Sequence, residues 1–345
     1  MGATTPDDTN RRSTRHKMKE NTVARLRRAG RLAVLAAVAG IALAGCGGGN
    51  IQSSAGSQAA GECDDTLDMA INPWVGYEAS AHVVGYVAKQ KLGCEVEYKP
   101  LKEELSWQGF GSGEVDVVIE NWGHPDLVKK YIKEQKTAVD VGPNGNIGVI
   151  GWYVPPWLAK AHPDVLHWQN LNKYAKQFAT SESAPKGQLL DGDPSFVTND
   201  EALVDNLNLN FKVVYAGSEP ALIQSFKQAE KNHDWMIGYF YEPQWLFQDL
   251  KLQQVELPKY TTGCDTNPEK VDCAYPKYTL NKVASKEFME SGSPAAKLVQ
   301  NFKWTNDDQN TVAGYIAQDG MSPEAAAAKW VKANPDKVQQ WLPQG

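Results

Sequence analysis

Apolar residues in this chain come in short runs separated by stretches of helical period. Leu67-Asp68-Met69-Ala70-Ile71 and Val115-Asp116-Val117-Val118-Ile119 have the length and composition of strands buried in a parallel sheet. Between them the pattern predicts a helix near Glu78 to Lys91 and a strand at Glu95 to Leu101. This βαβ order feeds a mostly parallel sheet. Pro143-Asn144-Gly145 predicts a break, and Ile147 to Val154 then reads as a crossover into a second lobe. The pattern repeats there, with a strand at Gln188 to Leu190 and a helix whose start is signalled by the capping-box spacing of Thr198 and Glu201. A strand at Phe211 to Tyr215, a helix from Pro220 to Glu230 and a strand from Trp235 to Tyr241 follow. Gln253 to Pro258 reads as the return crossover, and the C-terminal helices complete the first lobe. The expected bounds are 64–145 with 255–345 for lobe 1 and 146–254 for lobe 2. Two lobes joined by two crossovers make a hinge.

The first 45 residues follow a different logic. Nine Lys and Arg residues form a basic leader, Leu32 to Leu43 form an apolar segment too short to span a bilayer, and Leu43-Ala44-Gly45-Cys46 resembles a bacterial lipobox. The expectation is a lipoprotein signal peptide over 1–45 with Cys46 as the lipidated residue. The protein is then exported and held at the outer face of the cell membrane by its lipid alone. Residues 46–63 are rich in Gly, Ser, Gln and Ala and read as a flexible tether. Arg27-Arg28 leaves twin-arginine export open beside the general route.

Removing that leader takes away nine basic and three acidic residues, leaving 26 Lys and Arg against 38 Asp and Glu, a net charge of −12. Such a surface disfavours nucleic acid and anionic lipid as partners. With Cys46 assigned to lipid, Cys63, Cys94, Cys264 and Cys273 remain, and export favours two disulfides. Cys63 with Cys94 would tie the entry of the first strand to the loop after the first helix, and Cys264 with Cys273 would close a local loop. A four-thiolate metal site competes poorly because no CxxC pair is present. No metal or cofactor is expected. No HExxH, GxSxG or P-loop occurs, and the six histidines are scattered singly, so no catalytic residue is assigned.

Eleven tryptophans change the picture. Trp74 and Trp122 each follow an apolar run, at the strand's C-terminal edge, where open α/β sheets bind ligands. An indole face attracts a cation that has no hydrogen bonds to donate, so the placement suggests an aromatic cage for a quaternary ammonium group. Glu120 shares a strand face with Trp122. Its carboxylate would either pair with a cationic guest or serve as a hydrogen-bonded strand-end residue. Of Trp152 and Tyr153 on the crossover strand, alternation turns one inward. Trp107, Trp157, Trp168, Trp235, Trp245, Trp304, Trp330 and Trp341 are read as packing or surface residues.

Three segments then carry a resemblance: Ile71-Asn72-Pro73-Trp74 opening a helix, Gly113-Glu114-Val115-Asp116-Val117 leading to Asn121-Trp122, and Tyr239-Phe240-Tyr241-Glu242-Pro243-Gln244-Trp245. Over residues 64–345 the chain resembles the glycine betaine and choline-type substrate-binding proteins of ABC importers. The resemblance implies an α/β, two-lobe fold of the periplasmic-binding-protein type II, closing by a hinge over a cleft, and a permease with an ATPase as partners. It also implies cage roles for Trp122, for Tyr241 in place of a tryptophan, and for Phe196 in the Asp193-Pro194-Ser195 loop. Two departures stand out: His124 follows Trp122 by two residues where relatives place a histidine four or five on, and Gly76 stands where some carry an acid.

For a zwitterion, the loop from Asp193 to Val197 running into a helix start is the expected source of N–H donors to the carboxylate. The ligand expected is glycine betaine or a relative. A choline or carnitine-type cation is the alternative within the same fold, and a glycan-acting lipoprotein hydrolase using Glu120 and Glu242 is the alternative outside it.

Overall fold

In the computed structural model, Cys63, residues 66–196 and residues 198–344 are described. The expected signal peptide over 1–45, the lipidation site Cys46 and the tether up to residue 62 lie outside the described residues. Nine strands follow in chain order: β1 Thr66–Ile71, β2 Glu95–Pro100, β3 Val117–Asn121, β4 Ala138–Val154, β5 Gly187–Asp191, β6 Phe211–Tyr215, β7 Gly238–Glu242, β8 Gln253–Gln254 and β9 Lys277–Ser285. They join in the order β2-β1-β3-β9-β4-β7-β5-β6, with β8 also on β4. β2-β1-β3 and β7-β5-β6 are parallel sets, whereas β9 and β4 run antiparallel to their neighbours. The antiparallel pair β4 and β9 therefore joins two parallel half-sheets, one per lobe.

The local reasons are visible in the sequence. β3 is buried at every position, as expected of an apolar run covered on both faces. Helix Val75–Val87 follows β1 at once and buries Ala79, Ala81, Val83, Val84 and Val87. Helices Asn306–Ala317 and Pro323–Ala333 pack against it, so lobe 1 is built from two separate stretches of the chain. Thr305 starts the first of these with a complete capping box to Asp308. In lobe 2, helix Glu219–Asn232 is capped by Ser218, whose hydroxyl accepts from the Ala221 N–H at 3.3 Å. In the lobe 1 core Phe302 meets Trp304 and Trp341, and Trp330 stacks on Trp341 and meets Trp304 edge-on, while Trp157 and Trp235 meet in lobe 2.

Three expectations are corrected. Pro143-Asn144-Gly145 does not break the chain: β4 runs through it as one 17-residue strand, with a register shift against β9 between Pro143 and Ile147. The return crossover is β9 rather than Gln253 to Pro258. Gln253 and Gln254 instead pair with Val154 and Tyr153 in lobe 2, and Glu256 bridges His167 there. The stretch up to Tyr275 stays with that lobe, since Asn206 bonds the carbonyls of Glu269 and Val271 and Tyr275 bonds Asp200. Finally, Thr198 does not cap the helix Asp200–Asn206; its hydroxyl donates to Asp191 Oδ2 at 2.8 Å, and Asn199 occupies the cap position.

Cys63 is bonded to Cys94, and Cys264 to Cys273. The first links the start of β1 to the residue before β2. The second closes a loop whose residues Asp265, Thr266 and Pro268, with the adjoining Gly263, form part of the cleft wall described below. Among the described residues no helix is long and apolar enough to cross a membrane, and no group of His, Cys, Asp and Glu is arranged to hold a metal.

Candidate functional site

A cleft of about 1070 Å³ lies between the lobes. β1 ends at Ile71 and delivers Trp74 to its wall, and β3 ends at Asn121 and delivers Trp122. From lobe 2, β7 contributes Tyr239 and Tyr241, which share one strand face, and the loop after β5 contributes Phe196. Tyr278 comes from β9. The rings touch one another in chains. Trp122 meets Tyr241 edge-on at 5.7 Å between centroids and Tyr278 at 5.9 Å. Trp74 meets Phe196 edge-on at 5.8 Å, and Phe196 lies 6.3 Å from Tyr239 and 6.4 Å from Tyr241. It is the faces of such rings that attract a cation. Gly148 on β4 makes room for Trp122, because a Cβ there would lie 2.6 Å from the indole.

Behind these rings sit two buried carboxylates. Glu120, only 1% exposed, accepts the Trp74 indole N–H at 3.0 Å and the Trp122 indole N–H at 2.9 Å on the same oxygen, Oε1. Its Oε2 accepts from the Ser80 hydroxyl at 3.4 Å. Burial raises its pKa, and the hydrogen bonds from Trp74, Trp122, Gln309 and Ser80 offset this only in part. Glu219 accepts the Tyr241 hydroxyl and, at 2.8 Å, the Gln244 amide on Oε1, while Oε2 accepts the Val75 backbone N–H at 2.9 Å. That last bond runs from lobe 2 to the first residue of the lobe 1 helix. Glu219 is likewise raised by burial, against the bonds it accepts.

His124 lies in the cleft wall, with Nε2 2.9 Å from Glu103 Oε1. Burial alone would lower its pKa, but the bond and charge of Glu103, aided by Asp126, outweigh it and the net direction is upward. The ionisable residues of the wall are thus Glu103, Asp126 and Asp265 against His124 and Lys129.

Of the residues singled out from sequence, Trp74, Trp122, His124, Phe196 and Tyr241 share this cleft. Glu120 does not line it. At 1% exposure its carboxylate lies behind the rings, with Oε1 taken by the two indole N–H groups. Trp152 is also outside the cleft. It shares a face with Ile150, which lines the cleft, but it lies two residues further along β4, 1% exposed, with its indole N–H on Asp200 Oδ1 at 2.9 Å. Tyr153 on the other face packs on Phe240 and Phe247, so both faces of this central strand are covered. In the Asp193 to Val197 loop, where Val197 lies outside the described residues, two of the expected donors are already engaged within the loop. The Ser195 and Phe196 N–H groups bond Asp193, and the Asn199 N–H bonds the Tyr275 hydroxyl at 2.6 Å.

Glu103, Tyr239 and Tyr278 are wall residues that the sequence reading missed. Period two back from Tyr241 points to Tyr239. No local signal marks Glu103 or Tyr278, which reach the cleft only through tertiary packing.

Residues 65–333 match the family model OpuAC, described as the substrate binding domain of the ABC-type glycine betaine transport system. The trimethylamine N-oxide-binding protein of Pelagibacter ubique is 26% identical over 317 residues, covering 85% of this chain and 95% of that protein. Among solved structures, an ABC-transporter choline-binding protein in complex with choline superposes with a TM-score of 0.65 at 20% identity, over 80% of this chain and 91% of its own. A lactococcal glycine betaine-binding protein, closed on glycine betaine, gives 0.64 at 22% identity, over 81% of this chain and all of that one. These structures share the two-lobe α/β fold, which is the fold expected from the sequence. With most of its length inside the family match, the chain belongs to the substrate-binding domains of ABC-type glycine betaine transport systems, the extracytoplasmic solute receptors of ABC importers.

Proposed function

We propose that the protein captures a small trimethylammonium solute, glycine betaine or a relative, between its lobes and passes it to an ABC permease driven by an ATPase. The observation that carries this reading is the convergence of Trp74, Trp122, Phe196, Tyr239, Tyr241 and Tyr278, from both lobes, on one cleft. Lipid anchoring through Cys46 would keep the receptor beside its permease. Nothing is transformed in the cycle; the ligand shifts a population between open and closed forms.

Cation–π contacts alone do not suffice. Three desolvated contacts of about 1–2 kcal/mol each fall short of the roughly 8 kcal/mol that micromolar binding requires, so burial on closure and polar contacts must supply the rest. With the Ser195 and Phe196 N–H groups engaged by Asp193, side chains of the wall, His124, Lys129, Asn199 and Thr266 among them, are the donors best placed for a ligand carboxylate or oxide. The excess of Glu103, Asp126 and Asp265 favours a second reading, a simple cation such as choline.

Titration calorimetry with glycine betaine, choline and trimethylamine N-oxide tests both. Micromolar or tighter binding of at least one is expected, and Trp122→Ala should weaken it more than tenfold, a loss of at least about 1.4 kcal/mol. No heat with any of the three, or unaltered affinity in Trp122→Ala, overturns the reading.

A further inference from the structure

Trp74 and Trp122 reach the cleft from different strands, yet a single oxygen atom, Glu120 Oε1, accepts both indole N–H groups, at 3.0 and 2.9 Å. We propose that Glu120 is the positioning and polarising residue of the cage, acting on the ligand only through the two indoles. This rests on the cation reading above and deepens it. Three features of the geometry carry it.

First, a tryptophan at the end of a strand has two free torsions, and tethering its N–H removes that freedom before the ligand arrives. The shared oxygen also fixes each ring relative to the other, so the cage angle is set by one atom on a fully buried strand. Second, the two indole N–H groups that meet on Oε1 can only donate, and their bonds favour the charged form of Glu120 against the burial that disfavours it. Third, among the described residues no lysine, arginine or histidine pairs with Glu120, so none of them cancels its charge locally. A carboxylate bonded to an indole N–H draws positive charge to that edge and leaves the opposite part of the π system richer in electrons, which strengthens its attraction for a cation. The low dielectric of the site adds the long-range attraction of the same anion. Glu120 thus serves a cationic guest without touching it.

The test separates position from charge. Glu120→Gln keeps the shape and one acceptor oxygen but removes the charge. Trp122→Phe keeps a ring face but removes one of the two donors through which Glu120 acts. Calorimetry with glycine betaine and choline is run on wild type, both single variants and the double variant, with near-ultraviolet circular dichroism to follow the indoles. The expected result is a tenfold or greater loss of affinity in Glu120→Gln. In the double variant the combined loss should be smaller than the product of the two single losses, because the substitutions sever one shared path. Affinity within twofold of wild type in Glu120→Gln overturns the proposal, and so do losses that simply multiply. If Glu120→Gln does not fold, Glu120→Asp, whose shorter arm cannot reach both indoles, is read by the same two criteria. Failure of the cation reading itself looks different: wild type then binds neither ligand.

Discussion

At the scale of the residue, neighbouring charges decide what burial alone would not. His124 and Glu103 form a nearly buried pair, with side-chain exposures of 8% and 11%. The folded-state pKa of His124 is raised, so the folded protein holds the proton more tightly than the unfolded chain, whose imidazole titrates near about 6.5. The stabilisation is therefore complete below about pH 6.5 and is lost as pH rises through the folded value, at about 1.4 kcal/mol for each unit of the rise. Urea midpoints of wild type and His124→Gln should lie furthest apart at mildly acid pH and converge as the pH is taken up towards 9. A gap that stays constant or widens with pH would show that the imidazolium is not what Glu103 stabilises. Much of this site is legible from sequence, because tryptophans at the ends of apolar runs announce Trp74 and Trp122. The role of Glu120 is not. Alternation puts it on Trp122's face, but only the packing of helix Val75–Val87 shows that a second indole and Ser80 close over it.

At the scale of the element, the crossover strands are where sequence reasoning is weakest and the structure most exacting. Pro143-Asn144-Gly145 carries a turn signature, yet β4 passes through it because the surrounding groups are satisfied from elsewhere. The Asn144 amide bonds the Ile119 carbonyl at 3.2 Å, its carbonyl accepts from the Trp304 N–H at 2.9 Å, and Ile147 exchanges two bonds with Asn306. β9 hides for the opposite reason. Its sequence Lys277 to Ser285 alternates poorly, and Lys282 is buried outright, donating to the Gln300 and Phe302 carbonyls at 2.9 and 2.8 Å. Gly145 is the sharpest constraint. Its φ is +99° and a Cβ would stand 2.1 Å from the Trp304 carbonyl oxygen, a backbone atom that cannot swing aside. Gly145→Ala should therefore cost at least about 2 kcal/mol by urea denaturation. Gly93, also at positive φ but with nothing near its missing Cβ, provides the control, and Gly93→Ala should cost only about 1 kcal/mol. Equal losses would mean that the approach of Trp304 is easily relieved.

At the scale of the whole molecule, the question is what draws the lobes together. The parallel half-sheets were legible as repeated strand–helix units, but their junction was not, since it depends on pairing between strands more than a hundred residues apart. Across the cleft, Glu219 of lobe 2 binds the Val75 N–H at the start of the lobe 1 helix. Its other oxygen already serves Tyr241 and Gln244, both donors. Glu219→Gln therefore has a specific consequence. The amide oxygen remains with those two donors, and the new NH2 is turned towards the Val75 N–H, so a charge-assisted bond between the lobes is replaced by two donors facing each other. Such bonds are worth roughly 1.5–3 kcal/mol, so the closed form should lose population tenfold or more. A ligand that binds the closed form pays this factor whatever its chemistry, because apparent affinity scales with the competent fraction. Glycine betaine and choline should weaken together in Glu219→Gln, with their ratio kept within about twofold, whereas a change to the cage rings alters the ratio. Small-angle scattering of the unliganded variant should at the same time report a larger radius of gyration than wild type. A shifted ratio with unchanged dimensions would move Glu219 from the closure equilibrium to the cage itself, acting through Tyr241.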